Sequence, residues 1–170
     1  MYKALFFIAI MTMFSNIHAQ QNQVVFDTIA KKDILIGECN REGLMLPVFA
    51  EFYTLEYGAY NPDPEALPIL SAFRNDYRIV IVMGSWCGDS KEQVPRFLKI
   101  ADSFGFPEAD IRIISIDKTK TAPGFEEELA RYGITLVPTF IFFRGEEEIG
   151  RIVETPVESL EKDWFKILEK

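Results

Sequence analysis

The sequence predicts an α/β fold, a central mixed sheet flanked by helices in three layers, preceded by a mostly helical N-terminal extension. Three observations predict it. A continuous apolar run rich in β-branched residues, 79–83, and a second buried strand, 111–116, are separated by a segment with helical spacing, which is the pattern of a parallel βαβ unit. Two further strand-like runs, 139–143 and 148–153, are separated only by Arg144-Gly145-Glu146, which is turn material for a hairpin. An amphipathic stripe of Val157, Leu160, Trp164 and Ile167 closes the chain.

Taken in order, the chain of 170 residues opens on Met1-Tyr2-Lys3, an apolar run over 4–14, and Ser15-Asn16-Ile17-His18-Ala19. A charged start, an apolar middle and a small-residue end read as a secretory signal peptide cleaved after Ala19. The run is shorter than the roughly 20 apolar residues a membrane span needs. The expected mature chain, 20–170, is one domain with its core over 77–170 and the extension over 20–76. The expected location is therefore the periplasm or the exterior, with no stable membrane insertion after cleavage.

In the extension, residues 34–37 read as an added strand. Residues 47–57 read as a helix with Val48, Phe49, Phe52 and Tyr53 inward. Asn61-Pro62-Asp63-Pro64 reads as a turn, and 65–73 as a second helix. Strand 79–83 leads into Gly84-Ser85-Trp86-Cys87, after which Val94, Phe97, Leu98, Ala101 and Phe104 mark the buried face of a helix. After strand 111–116, Phe125, Leu129 and Tyr132 mark a short helix stopped by Gly133. In the last helix, Thr155 is expected to cap, Pro156 to take the first helical position and Glu158 to complete a capping box.

Charge and composition exclude several functions. There are 18 Lys and Arg against 26 Asp and Glu, a net charge of −8, and loss of Lys3 deepens it. Such a surface argues against nucleic acid as a partner. The only histidine is His18, inside the leader, so the mature chain offers no imidazole for a Ser-His or Cys-His pair or for a His-ligated metal. No phosphate-binding glycine loop is present, and neither metal nor cofactor is expected.

Two cysteines remain, Cys39 and Cys87. In an open α/β sheet, function concentrates just beyond the carboxyl ends of the strands. Cys87 stands there, at the start of a helix whose unpaired N–H groups and dipole favour a negative sulfur. The thiolate is the reactive form of cysteine, so this placement points to thiol chemistry.

The segment Trp86-Cys87-Gly88-Asp89-Ser90 resembles the Trp-Cys-Gly-Pro-Cys segment of thioredoxins. Pro95 falls where thioredoxins carry the proline that bends the same helix. Val137-Pro138-Thr139 resembles their loop, whose cis proline faces the active-site sulfur. The resemblance covers about residues 77–170 and implies a thioredoxin-like sandwich, a catalytic role for Cys87, Ser90 and Pro138, and substrate contacts from Trp86, Gly88, Asp89 and Val137. It implies protein or small-molecule thiols and disulfides as partners. The departures are specific. Ser90 replaces the second cysteine, Asp89 the intervening proline, and Ile81 the buried aspartate that moves protons for the resolving thiol. The chain looks most like exported bacterial thioredoxin-like proteins with a monothiol motif.

Physically, Cys87 can form a mixed disulfide, and Ser90 cannot attack it because exchange needs a sulfur. Ser90 has two roles open to it: a hydrogen bond to the Cys87 thiolate, or a first-turn bond to backbone. The Asp89 carboxylate is expected to oppose the thiolate. Cys39 has three fates open to it: resolving thiol, permanent partner of Cys87, or free and buried, the last being the expectation because Cys is commonly a small buried hydrophobe. Two functions from different classes follow: a thiol–disulfide oxidoreductase working through one cysteine, and a redox-inactive module that binds an extended peptide over Trp86, Cys87 and Pro138. An iron–sulfur site of the monothiol-glutaredoxin kind is disfavoured by Trp86 and by export. A thiol peroxidase is disfavoured because Gly84 stands where peroxiredoxins carry Thr or Ser.

Overall fold

The computed structural model describes residues 21–169, so the expected leader lies outside the described residues. The chain begins with an antiparallel hairpin, β1 (Gln23–Asp27) and β2 (Lys32–Cys39). Three helices follow, α1 (Arg41–Leu44), α2 (Ala50–Ala59) and α3 (Ala66–Phe73). The remainder runs β3 (Arg78–Met83), α4 (Gly88–Ser103), β4 (Ile111–Ser115), α5 (Glu126–Tyr132), β5 (Thr139–Arg144), β6 (Glu147–Val153) and α6 (Leu160–Leu168). The strands form one mixed sheet in the order β1-β2-β4-β3-β5-β6. Strands β3 and β4 are parallel, joined through α4, and every other pairing is antiparallel.

The central strand explains why its sequence is continuously apolar. Successive side chains of a strand point to opposite faces. Ile79, Ile81 and Met83 join the cluster under α4 and α6, with Phe97, Leu98, Ala101 and Trp164. Val80 and Val82 join the opposite cluster, with Ile114, Leu129 and Ile141. A strand covered on both faces keeps no polar side. Gly133 ends α5 in the left-handed conformation (φ 60°), its N–H donating to Leu129 O and Ala130 O, as the sequence predicts.

The structure corrects the reading of the last helix. Thr155, Pro156 and Glu158 lie before it, and Ser159 is the N-cap, its hydroxyl accepting from Lys162 N. The Asp163 carboxylate accepts from Val157 N and Glu158 N, holding those residues in a loop, and Glu158 pairs with Lys162 and Lys166. Val157 is 92% exposed and leaves the buried stripe, which Leu160, Trp164 and Ile167 keep.

The N-terminal extension is helical and also contributes two strands, since β2 runs well beyond residues 34–37 and β1 joins it at the edge. The extension is fastened to the core by polar contacts. Arg41 pairs with Asp102, Arg96 with Glu56, and the buried Glu161 accepts from Tyr60 Oη and Asp63 N. Helix α2 begins at Ala50 rather than at residue 47, with Phe49 fully buried and Phe52 and Tyr53 half-buried. Among the described residues, no helix is long and apolar enough to cross a membrane.

Candidate active site

The site forms where β3 gives way to α4. After Met83 the chain turns, Cys87 N donating to Gly84 O at 2.9 Å, and Cys87 becomes the N-cap of α4 with extended backbone (φ −85°, ψ 134°). Gly84 is required here by space. A Cβ at this position would fall 2.6 Å from the Trp86 ring, which folds back over it. The Trp86 indole N–H donates to Ile116 O at 2.8 Å, fixing the ring across the end of β4.

Cys87 is half-buried, and its Sγ donates to Val137 O at 3.1 Å. An Asp89 carboxylate oxygen lies 4.0 Å from the same sulfur. The Val137–Pro138 bond is cis, as the resemblance to the thioredoxin loop implies, and Pro138 O accepts from Glu154 N at 2.7 Å, tying the loop to the end of β6. Cys87 and Val137 therefore meet, with Pro138 next in the chain, Trp86 and Asp89 flanking Cys87 in sequence, and Gly88 exposed on the first turn of α4.

Ser90 takes the second of its two roles. It is fully buried, and its Oγ accepts from Gly84 N at 3.2 Å, locking the turn to the helix. Its hydroxyl is spent on backbone and makes no hydrogen bond to the Cys87 sulfur among the described residues. On β3, Ile81 is fully buried among apolar side chains of the core cluster.

A family model described as thioredoxin matches residues 56–163. The chain belongs to the thioredoxin family. It is 34% identical to thioredoxin H2-1 of rice over 94 residues, which cover 54% of this chain and 62% of the relative. The chain thus spans less than two thirds of that relative. It is 29% identical to thioredoxin Asp f 29 of Aspergillus fumigatus over 83 residues, covering 49% of this chain and 70% of that one. Among solved structures, reduced Schistosoma mansoni thioredoxin pre-protein is similar at 24% identity and a TM-score of 0.40, over 63% of this chain and 90% of that one.

Relative to the thioredoxin motif, the second sulfur is absent from the first turn of α4, and Cys39 does not replace it. Cys39 sits on β2 in register with Ile113, which is itself in register with Ile81. Two strand spacings, about 9–10 Å, separate it from β3, whereas a disulfide requires Cα atoms within about 7 Å. Both cysteines are free, and the Cys39 Sγ donates to Gly37 O at 3.5 Å. Burial pushes the Cys39 thiol up to about 12 from its ordinary value of 9.0. The unfolded chain then loses this proton between about pH 9 and 12 while the folded chain keeps it. The contribution of the neutral buried thiol is fully present below pH 9 and is lost as pH rises, by about 1.4 kcal/mol per unit. Above pH 9 the stability of wild type should fall more steeply with pH than that of Cys39→Ala, and an alkylating reagent at pH 8 should label Cys87 alone in the folded protein.

Three lysines at the site escaped sequence reasoning. Lys32 Nζ donates to Trp86 O at 3.5 Å. Lys118 Nζ lies 5.5 Å from the Trp86 ring centre. Lys91 follows Ser90 and places its Nζ 3.7 Å from the centre of the Phe52 ring. Burial lowers the Lys91 pKa first, and repulsion from Lys32 adds to it, against attraction by Cys87 and Glu51. Only Lys91 carried a signal, since it lies four residues after Cys87, one helical turn along the same face.

Proposed function

We propose that the chain is an exported thiol–disulfide oxidoreductase that works through one cysteine. The observation that carries this reading is the Cys87 sulfur itself, half-buried at the N-cap of α4 against Val137 O and the cis Pro138 loop, with Cys39 two strands away. The Cys87 thiolate attacks one sulfur of a substrate disulfide. A new S–S bond forms to Cys87, the substrate's other sulfur leaves as a thiolate, and an external thiol later reduces the adduct. In this reading Trp86, Gly88, Asp89, Val137 and Pro138 bound the groove in which the substrate segment lies beside the sulfur, and Ser90 holds the turn. Protein or small-molecule disulfides and thiols are the partners. Export rests on the charged, apolar and small-residue order of residues 1–19, and the mass of the mature protein should correspond to an N-terminus near Gln20.

The decisive experiment is incubation of the folded mature chain with a neutral model disulfide, followed by mass spectrometry. Wild type should gain one adduct, on Cys87, and Cys87→Ser should gain none. If folded wild type gains no adduct while the denatured chain reacts, the thiol is not used. The site is then a peptide-binding surface of the same fold.

A further inference from the structure

The three lysines belong to parts of the chain far apart in sequence, yet the fold brings Lys32 and Lys118 to Trp86, the neighbour of Cys87, and sets Lys91 where Cys87 attracts it and Lys32 repels it. The β1–β2 hairpin is pinned to the site loop through Leu35. Its N–H donates to Ser85 Oγ at 2.9 Å, and its carbonyl accepts from Ser115 Oγ at 2.8 Å. Ser85 adjoins Trp86, so the start of β2, with Lys32, is held against the Trp86 carbonyl. Asp27 fastens the other end of the hairpin turn, its carboxylate accepting from Ile29 N, Ala30 N and Lys118 N. This same contact fixes the backbone that carries Lys118. Helix α4 supplies Lys91.

None of the three makes an ion pair with another described residue; the lysines that do, Lys162 and Lys166, both use Glu158. The chain as a whole carries a net charge of −8. Cations without ion pairs at the segment that carries a reactive sulfur, on an acidic protein, have an electrostatic consequence. Local potential near a site selects among partners and sets their rates of encounter even when net charge has the opposite sign. The acidic groups that face the same lysines are Asp89, 4.0 Å from the sulfur, Glu51, which attracts Lys91, and Asp27, which attracts Lys118.

We propose that Lys32, Lys91 and Lys118 form a cationic rim that selects anionic thiols, so that the small thiol which releases the Cys87 adduct carries a carboxylate or sulfonate. This rests on the oxidoreductase reading. It also answers what that reading leaves open, because neither Ser90 nor Cys39 can release the adduct and a thiol from solution must. The incoming thiolate attacks the substrate-derived sulfur of the mixed disulfide. A bond forms between those two sulfurs, the Cys87 bond breaks, and Cys87 leaves as thiolate. The incoming thiol is oxidised and Cys87 is reduced.

The test uses three thiols of similar size and different charge: 2-mercaptoethanesulfonate, 2-mercaptoethanol and cysteamine. Cys87 is first loaded with bis(2-hydroxyethyl) disulfide, which is neutral. The release rate with each thiol is divided by its rate on the same mixed disulfide of N-acetylcysteinamide, which removes differences in intrinsic reactivity. Wild type should prefer sulfonate over hydroxyl over ammonium, with a spread of about 10-fold at low salt. The double variant Lys32→Gln/Lys91→Gln, and salt at about 0.5 M, should each reduce that spread at least about 3-fold. Lys32 is exposed and Lys91 is half-buried against Phe52, and circular dichroism checks that the variant is folded. An unchanged order in the variant overturns the proposal. A reversed order in wild type does so as well and assigns control to Asp89 and the net negative charge. Failure of the neutral disulfide to load Cys87 is a different result, which removes the oxidoreductase reading and this proposal together.

Discussion

Trp164→Ala should destabilise the fold by about 3–5 kcal/mol, the range for truncating a large aromatic side chain in a core that cannot collapse around the space. Trp164 is fully buried. Its ring is stacked on Phe97, with centroids 4.2 Å apart and planes 3° from parallel, and meets Phe104 and Phe142 edge-on at 5.3 and 5.4 Å. Its indole N–H donates to Tyr77 Oη at 2.9 Å, a bond the truncation also removes. Natural domains have about 5–15 kcal/mol in total, so a loss of this size moves the urea midpoint far down or leaves part of the protein unfolded. Trp164→Phe separates the two contributions. It keeps an aromatic ring for the stack and loses the hydrogen bond, so it should cost less, about 1–3 kcal/mol. Equal losses for the two variants would mean that the ring contacts contribute little and that the bond between α6 and Tyr77 dominates.

The contrast between what was readable and what was not follows the range of the interactions. Strands β3 and β5 were visible because burial on both faces leaves a nearly uninterrupted apolar run, and β4 because isoleucines dominate it despite Arg112 and Ser115. The end of α5 was visible because a left-handed C-terminal position demands a residue such as Gly133. Cys87 was legible because local chemistry and position on the strand–helix junction coincide in one short segment. Strand β1 was hidden. It is an edge strand whose Val24, Val25 and Phe26 are all substantially exposed, so no alternation of buried and exposed residues marks it. The start of α6 was misplaced because Thr155-Pro156-Val157-Glu158 carries every local feature of a helix start. A tertiary fact, the Asp163 carboxylate gathering the Val157 and Glu158 N–H groups, decided against it. The lysine rim is the least legible feature of all. Lys32, Lys91 and Lys118 meet only because the Leu35 bonds to Ser85 and Ser115 and the Asp27 bonds to the loop at Lys118 fold the hairpin onto the site.

Ser90→Cys should shorten the life of an intermolecular Cys87 adduct by more than 10-fold. The wild-type adduct is expected to be long-lived, because the nearest candidate for internal attack, Ser90, bears a hydroxyl and its Oγ is engaged by Gly84 N. Residues three apart on a helix are neighbours, and their Cα atoms, about 5–6 Å apart, fall inside the range a disulfide can span. The introduced thiolate attacks the Cys87 sulfur of the adduct, the substrate sulfur departs, and an internal disulfide across the first turn of α4 remains. The substitution has a cost of its own. Sulfur is a weak acceptor, so the buried Gly84 N–H loses a good partner, and stability should fall by about 1–2 kcal/mol. Turnover with an external reductant need not rise as far as adduct release does, since the introduced thiol must first lose its proton in a fully buried position, and Ile81, which stands where the resemblance puts the proton-moving aspartate, cannot accept one. The measurement is the decay of a mass-labelled adduct in wild type, Ser90→Cys and Cys39→Ser. Wild type and Cys39→Ser should decay slowly and alike. Rapid decay in wild type that Cys39→Ser abolishes would show that Cys39 reaches Cys87 after all, which requires β2 to leave its register beside β4 during the reaction.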